Sequence, residues 1–189
     1  MYELLRQNIE TKIPLTQDEW ELIINKVERF TLKKNDFLQI QDSNSKYEGF
    51  VLKGSFKIYT LKENGTESIL FFAFDTDWIC DVESFYHQKP TKFNIKALED
   101  SEILVINKTN KKKLFQEVPK LIQFHTMMVE KTNIIMQERL LDVLNKTSKQ
   151  RYMEFIKKYP HKTQQINNRN LSSYLGVSHE FLSKIKKTI

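Results

Sequence analysis

The sequence predicts an α+β fold with the strands first and the helices last. Three observations predict it. Short apolar runs punctuated by turn signals fill the first hundred or so residues. A helical apolar stripe follows, and two short helical segments meeting at Gly176 close the chain. Three zones result: residues 1–118, 119–146 and 147–189.

The first zone opens with a helix. Thr16-Gln-Asp-Glu19 forms a capping box, with Leu15 and Trp20 at the staple positions. Leu22, Ile23, Val27 and Phe30 continue at helical spacing. From Phe37 the period becomes strand-like. Phe50-Val51-Leu52 leads to Gly54, and Phe56 and Ile58 alternate with Lys57 and Tyr59. Asn64-Gly65 predicts a two-residue type I′ hairpin, which needs positive φ at both positions. Ile69 to Phe74 reads as a strand buried on both faces. Phe93, Ile95 and Ala97 alternate with polar neighbours, and Leu104-Val105-Ile106 is a further strand. Many short strands of this kind predict a small sandwich or barrel.

In the second zone Pro119 stands where a helix starts. Leu121, Met128 and Ile135 are seven apart, as are Met127, Ile134 and Leu141, and Phe124 joins them. This stripe, on a helix of roughly 28 residues against a mean of about 12, suits packing on its own β-domain or on an identical helix.

The third zone begins with a helix from Gln150 to Tyr159 that stops at Pro160. The segment Leu171 to Lys187 then meets each requirement of a helix-turn-helix. Leu171 and Leu175 are apolar and four apart, Ser172 is small at the crossing, and Gly176 tolerates positive φ. Val177 is the buried turn residue, Ser178 is an N-cap, and Leu182 and Ile185 face inward. His179, Glu180, Ser183, Lys184 and Lys187 fall on the other face, where side chains reach base edges or phosphates.

The charge agrees with that segment. Lys plus Arg is 30 and Asp plus Glu is 24, a net of +6. Residues 139–189 hold eleven basic and three acidic residues, net +8, which leaves the rest at −2. Such asymmetry points to a polyanionic partner.

Composition excludes several classes. The single cysteine, Cys80, rules out an intrachain disulfide, a Cys-rich zinc site and a four-Cys cluster. It reads as a small buried residue rather than a redox switch. Four glycines exclude a GxGxxG fingerprint. Gly49 and Gly54 have P-loop spacing, but Ser55 stands where that loop needs Lys. His87, His125, His161 and His179 show no pairing for haem, and His125 reads as a solvent or interface residue. Asp75, Asp77, Asp81 and Glu83 would share one face of a strand, but no His or Gly-rich loop accompanies them. No catalytic, cofactor or metal site is expected. No apolar run approaches the ~18 residues of a membrane helix, and the N-terminus lacks signal-peptide character, so a cytoplasmic location is expected.

With these motifs in this order, nearly the whole chain resembles the CRP/FNR transcriptional regulators. The Phe50–Tyr59 segment, the Asn64-Gly65 hairpin, the long helix and the Leu171–Lys187 motif carry the resemblance. It implies a double-stranded, jelly-roll-like β-roll of the cyclic-nucleotide-binding type over 1–118, a dimerisation helix over 119–146, and a winged-helix-like DNA-binding domain over 147–189. It implies a homodimer on double-stranded DNA, and it leaves RNA polymerase open as a partner. His179, Glu180 and Lys184 occupy base-reading positions, with His179 where relatives often carry Arg. Arg169, Ser178, Lys186 and Lys187 are placed for phosphates, beside Ser183.

Two departures matter. Nucleotide-responsive members hold the cyclic phosphate with a Gly-Glu near the start of a cassette and an Arg-Ser/Thr-Ala near its end. Here those stretches read Cys80-Asp81-Val82 and Thr91-Lys92-Phe93. Thr91 is uncharged, Lys92 would turn to the opposite face, and Phe93 would project into the pocket. A buried phosphate without a cation costs roughly several kcal/mol, so cyclic AMP is not expected to bind well and any small-molecule effector is unidentified. The second departure is the lack of wing strands after the recognition helix. Two alternatives stand beside a DNA-binding regulator: a ligand sensor acting through protein contacts, and a true cyclic-nucleotide effector.

Overall fold

The computed structural model describes residues 2–160, 162 and 166–187. His161 and the last two residues lie outside them. The elements, in order, are α1 (Glu3–Glu10), α2 (Gln17–Ile24), β1 (Glu28–Leu32), β2 (Phe37–Gln39), β3 (Tyr47–Lys53), β4 (Phe56–Leu61), β5 (Glu67–Ala73) and β6 (Trp78–Ile79). Then come α3 (Val82–His87), β7 (Asn94–Ala97), β8 (Ser101–Asn107), α4 (Lys108–Glu117), α5 (Lys120–Asn145), α6 (Ser148–Lys158), α7 (Asn168–Leu175) and α8 (His179–Lys187). The chain divides into two compact units. One comprises residues 1–60 and 72–128, the other residues 61–71 and 129–189.

The strands form two four-stranded antiparallel sheets, ordered β1-β8-β3-β6 and β2-β7-β4-β5, and all but Leu61 of β4 and residues 67–71 of β5 belong to the first unit. Period-two alternation decides its layering. On β3 and β8, Val51, Ile103 and Val105 enter a cluster with Phe56, Ala73, Ile95 and Ala97 of the second sheet. Their neighbours Phe50, Leu52, Leu104 and Ile106 enter a second cluster with Leu5, Ile9, Trp20, Ile23, Leu114 and Val118 of the helices. The central strands are covered on both faces, which is why they read as unbroken apolar runs. Gly54 has φ +107°, and a Cβ there would lie 2.7 Å from the Ser101 Cβ and 2.9 Å from its Cα, so this tight corner requires glycine.

The capping box holds: Thr16 Oγ1 accepts from the Glu19 N–H (3.3 Å) and Glu19 accepts from the Thr16 N–H (2.7 Å). The helix is shorter than its periodicity suggests. It ends at Ile24, and Phe30 lies on β1, where it meets the Tyr47 ring edge-on at 5.1 Å. The hairpin forms with a different turn. Gly65 has φ +75° and Asn64 is not in the left-handed region. Gly65 N–H donates to Lys62 O and Lys62 N–H to Thr66 O, so three residues make the turn and only the third needs positive φ. Asn64 instead accepts from the Thr66 N–H through its side chain (3.1 Å). β5 is an edge strand, and most of its apolar residues are only half-buried rather than enclosed on both faces.

The second unit contains the tip of the β4–β5 hairpin. There Ser173 of α7 donates to Glu67 O (2.7 Å) and accepts from Ile69 N–H (3.1 Å). Arg139 donates to Ile69 O (3.2 Å) and Tyr174 O (3.1 Å), and lies 4.1 Å from the Tyr174 ring centroid. Burial lowers the Arg139 pKa, yet both carbonyls accept its protons. Arg151 donates to Lys146 O (2.7 Å) and Leu175 O (3.0 Å), tying α6 to the ends of α5 and α7. A small core of Tyr152, Phe155, Ile166, Leu171, Leu175, Leu182 and Ile185 completes this unit. No helix among the described residues is long and apolar enough to cross a membrane.

Candidate nucleic-acid interface and cassette

The corner between α7 and α8 is fixed by local chemistry. Asn167 caps α7 by accepting from the Asn170 N–H (2.8 Å). Gly176, at φ +69°, ends it. Gly176 N–H donates to Ser173 O (3.2 Å) and Val177 N–H to Ser172 O (3.0 Å), the two bonds of a Schellman motif. Ser178 then caps α8 by accepting from the Phe181 N–H (3.1 Å). Leu182 and Ile185 are buried against α7, as the spacing predicts.

The expected interface residues divide. His179, Glu180, Lys184 and Lys187 are exposed on α8, and Arg169 is exposed on α7. Backbone hydrogen bonding, then the Ser178 hydroxyl, lowers the Glu180 pKa, so this carboxylate is charged. Ser183 is half-buried and donates to His179 O (3.0 Å). Lys186, expected among the phosphate contacts, is drawn inward. Its ammonium donates to Asn168 Oδ1 (2.5 Å) and lies 5.9 Å from the Tyr152 ring centroid. Its place in the last turn of α8, facing the start of α7, makes it a tie within the motif.

The long helix departs from its expected single stripe. Leu121 and Phe124 are taken up by the first unit's own core, and Met128 packs against it, so these three do not lie on a free dimer face. Met127 and Ile135 are half-buried. Ile134 and Leu141 are exposed, and so is a row the sequence reading did not single out: Ile122, Val129, Met136 and Val143, seven apart, with Leu140. The β-strands beneath the helix decide which row is covered, and periodicity alone does not carry that information.

The cassette forms a closed polar cluster. Asp81 caps α3 by accepting from the Ser84 N–H (3.1 Å), and its other oxygen accepts from the Thr91 hydroxyl. Gln39 donates to Thr91 Oγ1 (2.6 Å), and so does the Phe93 N–H (3.0 Å). Ser84 accepts from the Ser45 N–H (2.8 Å) and donates to Lys89 O (2.5 Å). Asp81, Thr91, Ser84 and Gln39 are all buried. Lys92 is exposed, with its ammonium 3.8 Å from exposed Glu83. Val82 is exposed and Phe93 half-buried. The acids expected on one strand face have separate duties: Asp75 accepts from the Gly54 N–H (2.7 Å), Asp77 from the Phe74 N–H (2.9 Å), and Glu83 sits in the first turn of α3.

Beside the cassette lies a buried charged network that sequence reasoning missed. Lys111 of α4 pairs with Glu48 of β3 (2.5 Å), both largely buried. Its ammonium is 3.4 Å from His125 Nδ1, and the Tyr86 hydroxyl is 3.0 Å from His125 Nε2. His125 is thus an internal partner rather than a solvent residue. Burial, then Lys111, pushes its pKa down. Burial, reinforced by Glu48, pushes the Cys80 thiol pKa well up, which favours the protonated form. A Lys in a basic run on a helix offers no sign from sequence that it turns inward. Among the described residues no three His, Cys, Asp or Glu converge to hold a metal ion.

Comparison with known proteins agrees with this geometry. Residues 29–118 match the family model of the cyclic nucleotide-binding domain. FixK2 from Bradyrhizobium japonicum superposes with a TM-score of 0.75 at 16% identity, covering 86% of this chain and 83% of that one. The c-di-GMP-responsive global regulator CLP of Xanthomonas campestris gives 0.74 at 12% identity, covering 92% and 91%. A chain from Eubacterium rectale described as a transcriptional regulator of the CRP/FNR family gives 0.74 at 15% identity, covering 92% and 83%. No curated protein sequence matches significantly. The fold is therefore that of the CRP/FNR regulators, with a β-roll matching the cyclic nucleotide-binding domain.

Proposed function

We propose that this chain, with the fold of the CRP/FNR regulators, is a homodimeric, sequence-specific DNA-binding transcription regulator. The observation that carries the reading is the α7–α8 corner. Its turn and cap are fixed by Gly176 and Ser178, and His179, Glu180, Lys184 and Lys187 are left exposed on the second helix. Helix-turn-helix proteins place such a helix in the major groove with its N-terminal residues at base edges. In this reading His179, Glu180 and Lys184 read bases, while Arg169, Ser178 and Lys187 bind phosphates. The net +8 of residues 139–189 supports a polyanionic partner. The exposed apolar rows on α5 support a second copy of the chain as the other partner.

A mobility-shift assay on the DNA upstream of the chain's own coding sequence, with random DNA as competitor, tests the reading. A retained shift under competition is expected, and equal competition by random DNA overturns it.

The match to the cyclic nucleotide-binding domain favours a second reading, a cyclic-nucleotide-responsive regulator. The cassette argues against it. Asp81, Thr91, Gln39 and Ser84 bond one another, and Lys92, the nearby cation in sequence, is exposed beside Glu83. A cyclic phosphate entering here would break these bonds, and the nearby cations are already committed, Lys111 to Glu48 and Lys92 to the surface beside Glu83. Calorimetry with cyclic AMP and cyclic GMP is expected to show no binding in the micromolar range. Micromolar binding to either would establish the second reading.

A further inference from the structure

We infer that Phe181 reads a thymine methyl group in the major groove, which makes the preferred site thymine-bearing where the first turn of α8 docks. The inference rests on the DNA-binding reading above and specifies what that site recognises. Phe181 is the third residue of α8, and its N–H is the one that Ser178 caps, so it belongs to the turn that meets base edges first. Its backbone is tied down and its side chain is not buried. It is 48% exposed, while the apolar residues that follow it, Leu182 and Ile185, are 0% and 6% exposed. The core of the second unit is complete without it. Its neighbours across the exposed arc are charged: Glu180 precedes it and Lys184 lies one turn on. The exposed half of this aromatic ring, set beside charges on a helix facing water, stays in contact with solvent in the isolated chain. On a helix seated in the major groove it gains an apolar partner. In that groove the apolar feature of the base pairs is the C5-methyl of thymine, and Phe is among the side chains suited to it. The basic last turn of the same helix, with Lys184 and Lys187, supplies the charge complementarity that brings a duplex to this face.

The experiment is selection of bound duplexes from a random pool with the wild-type chain, followed by binding to the selected duplex with each thymine replaced in turn by deoxyuridine. That replacement removes only the methyl group. One thymine per half-site is expected to be sensitive, with affinity falling about four-fold, the worth of one buried methyl. Phe181→Ala is expected to lose that sensitivity while keeping its preferences elsewhere, and Phe181→Leu to retain part of it. Equal thermal unfolding of the variants shows that the fold is intact. A selected site whose thymines all tolerate deoxyuridine, or an F181A chain as sensitive as wild type, overturns the inference and leaves the DNA-binding reading standing. Failure to enrich any sequence overturns both.

Discussion

His125 shows how a single side chain takes its properties from its neighbours. It sits on α5, with Lys111 of α4 on one ring nitrogen and the Tyr86 hydroxyl of α3 on the other. The Phe115 ring is 5.6 Å away, and Glu48 of β3 pairs with the Lys111 ammonium. Burial and the Lys111 charge lower its pKa in the fold, while Glu48 opposes them weakly. A histidine depressed in the folded state takes up its proton more readily when unfolded. Its contribution to stability is therefore present above the unfolded value of about 6.5 and is lost as pH falls below it. Urea denaturation between pH 7 and 5 is expected to show stability falling for the wild type and falling less for His125→Gln. Parallel curves would mean that the ring is solvated. Lys111 makes a sharper case. Lys111→Ala strands Glu48 without its partner, and a loss of about 3–5 kcal/mol is expected by the same denaturation at pH 7.

At the scale of elements, what was legible in the sequence is what is local. Both bonds of the Thr16 capping box and the Gly176 turn with its Ser178 cap involve residues within five positions of each other, and all are present. The type of the hairpin turn was not legible, because a three-residue loop with glycine third reads much like an Asn-Gly pair. The inward turn of Lys186 was not legible either, since its partner Asn168 lies on the preceding helix. The same limit governs α5. Heptad spacing marks Leu121, Phe124 and Met128 as apolar, yet only the first unit's core shows that they are already covered. The unsatisfied row is Ile122, Val129, Met136 and Val143, with Leu140. A two-stranded seam needs apolar residues alternating three and four apart, and Met136, Leu140 and Val143 supply that spacing. Met136→Glu with Val143→Glu is expected to yield a folded monomer in sedimentation velocity. Phe124→Ala is expected to cost about 3–5 kcal/mol of stability and to leave the stoichiometry unchanged. The opposite pattern would return the dimer face to the stripe first read from the sequence.

At the scale of the whole molecule the governing quantity is where charge accumulates. A net of +6 says little alone, but +8 over residues 139–189 against −2 elsewhere confines the attraction for a polyanion to one region. Not all of those cations are equivalent. Arg139 and Arg151 spend their donors on backbone carbonyls, Lys146 pairs with Asp142 and Glu154, and Lys186 bonds Asn168. Arg169 and Lys187 are exposed on the helix-turn-helix itself. Salt dependence separates the two groups, because each phosphate neutralised contributes about 0.9 to the slope of log affinity against log salt. Lys187→Ala is expected to lower the slope by about that amount and to weaken specific and random duplexes alike. Lys186→Ala is expected to leave the slope unchanged and to lower the thermal stability of the chain, since it removes a bond that joins α8 to α7. Lys184→Ala, at a base-reading position, is expected to weaken the selected duplex more than a random one. Equal loss on both would reassign Lys184 to the phosphates and leave His179, Glu180 and Phe181 to carry the sequence preference.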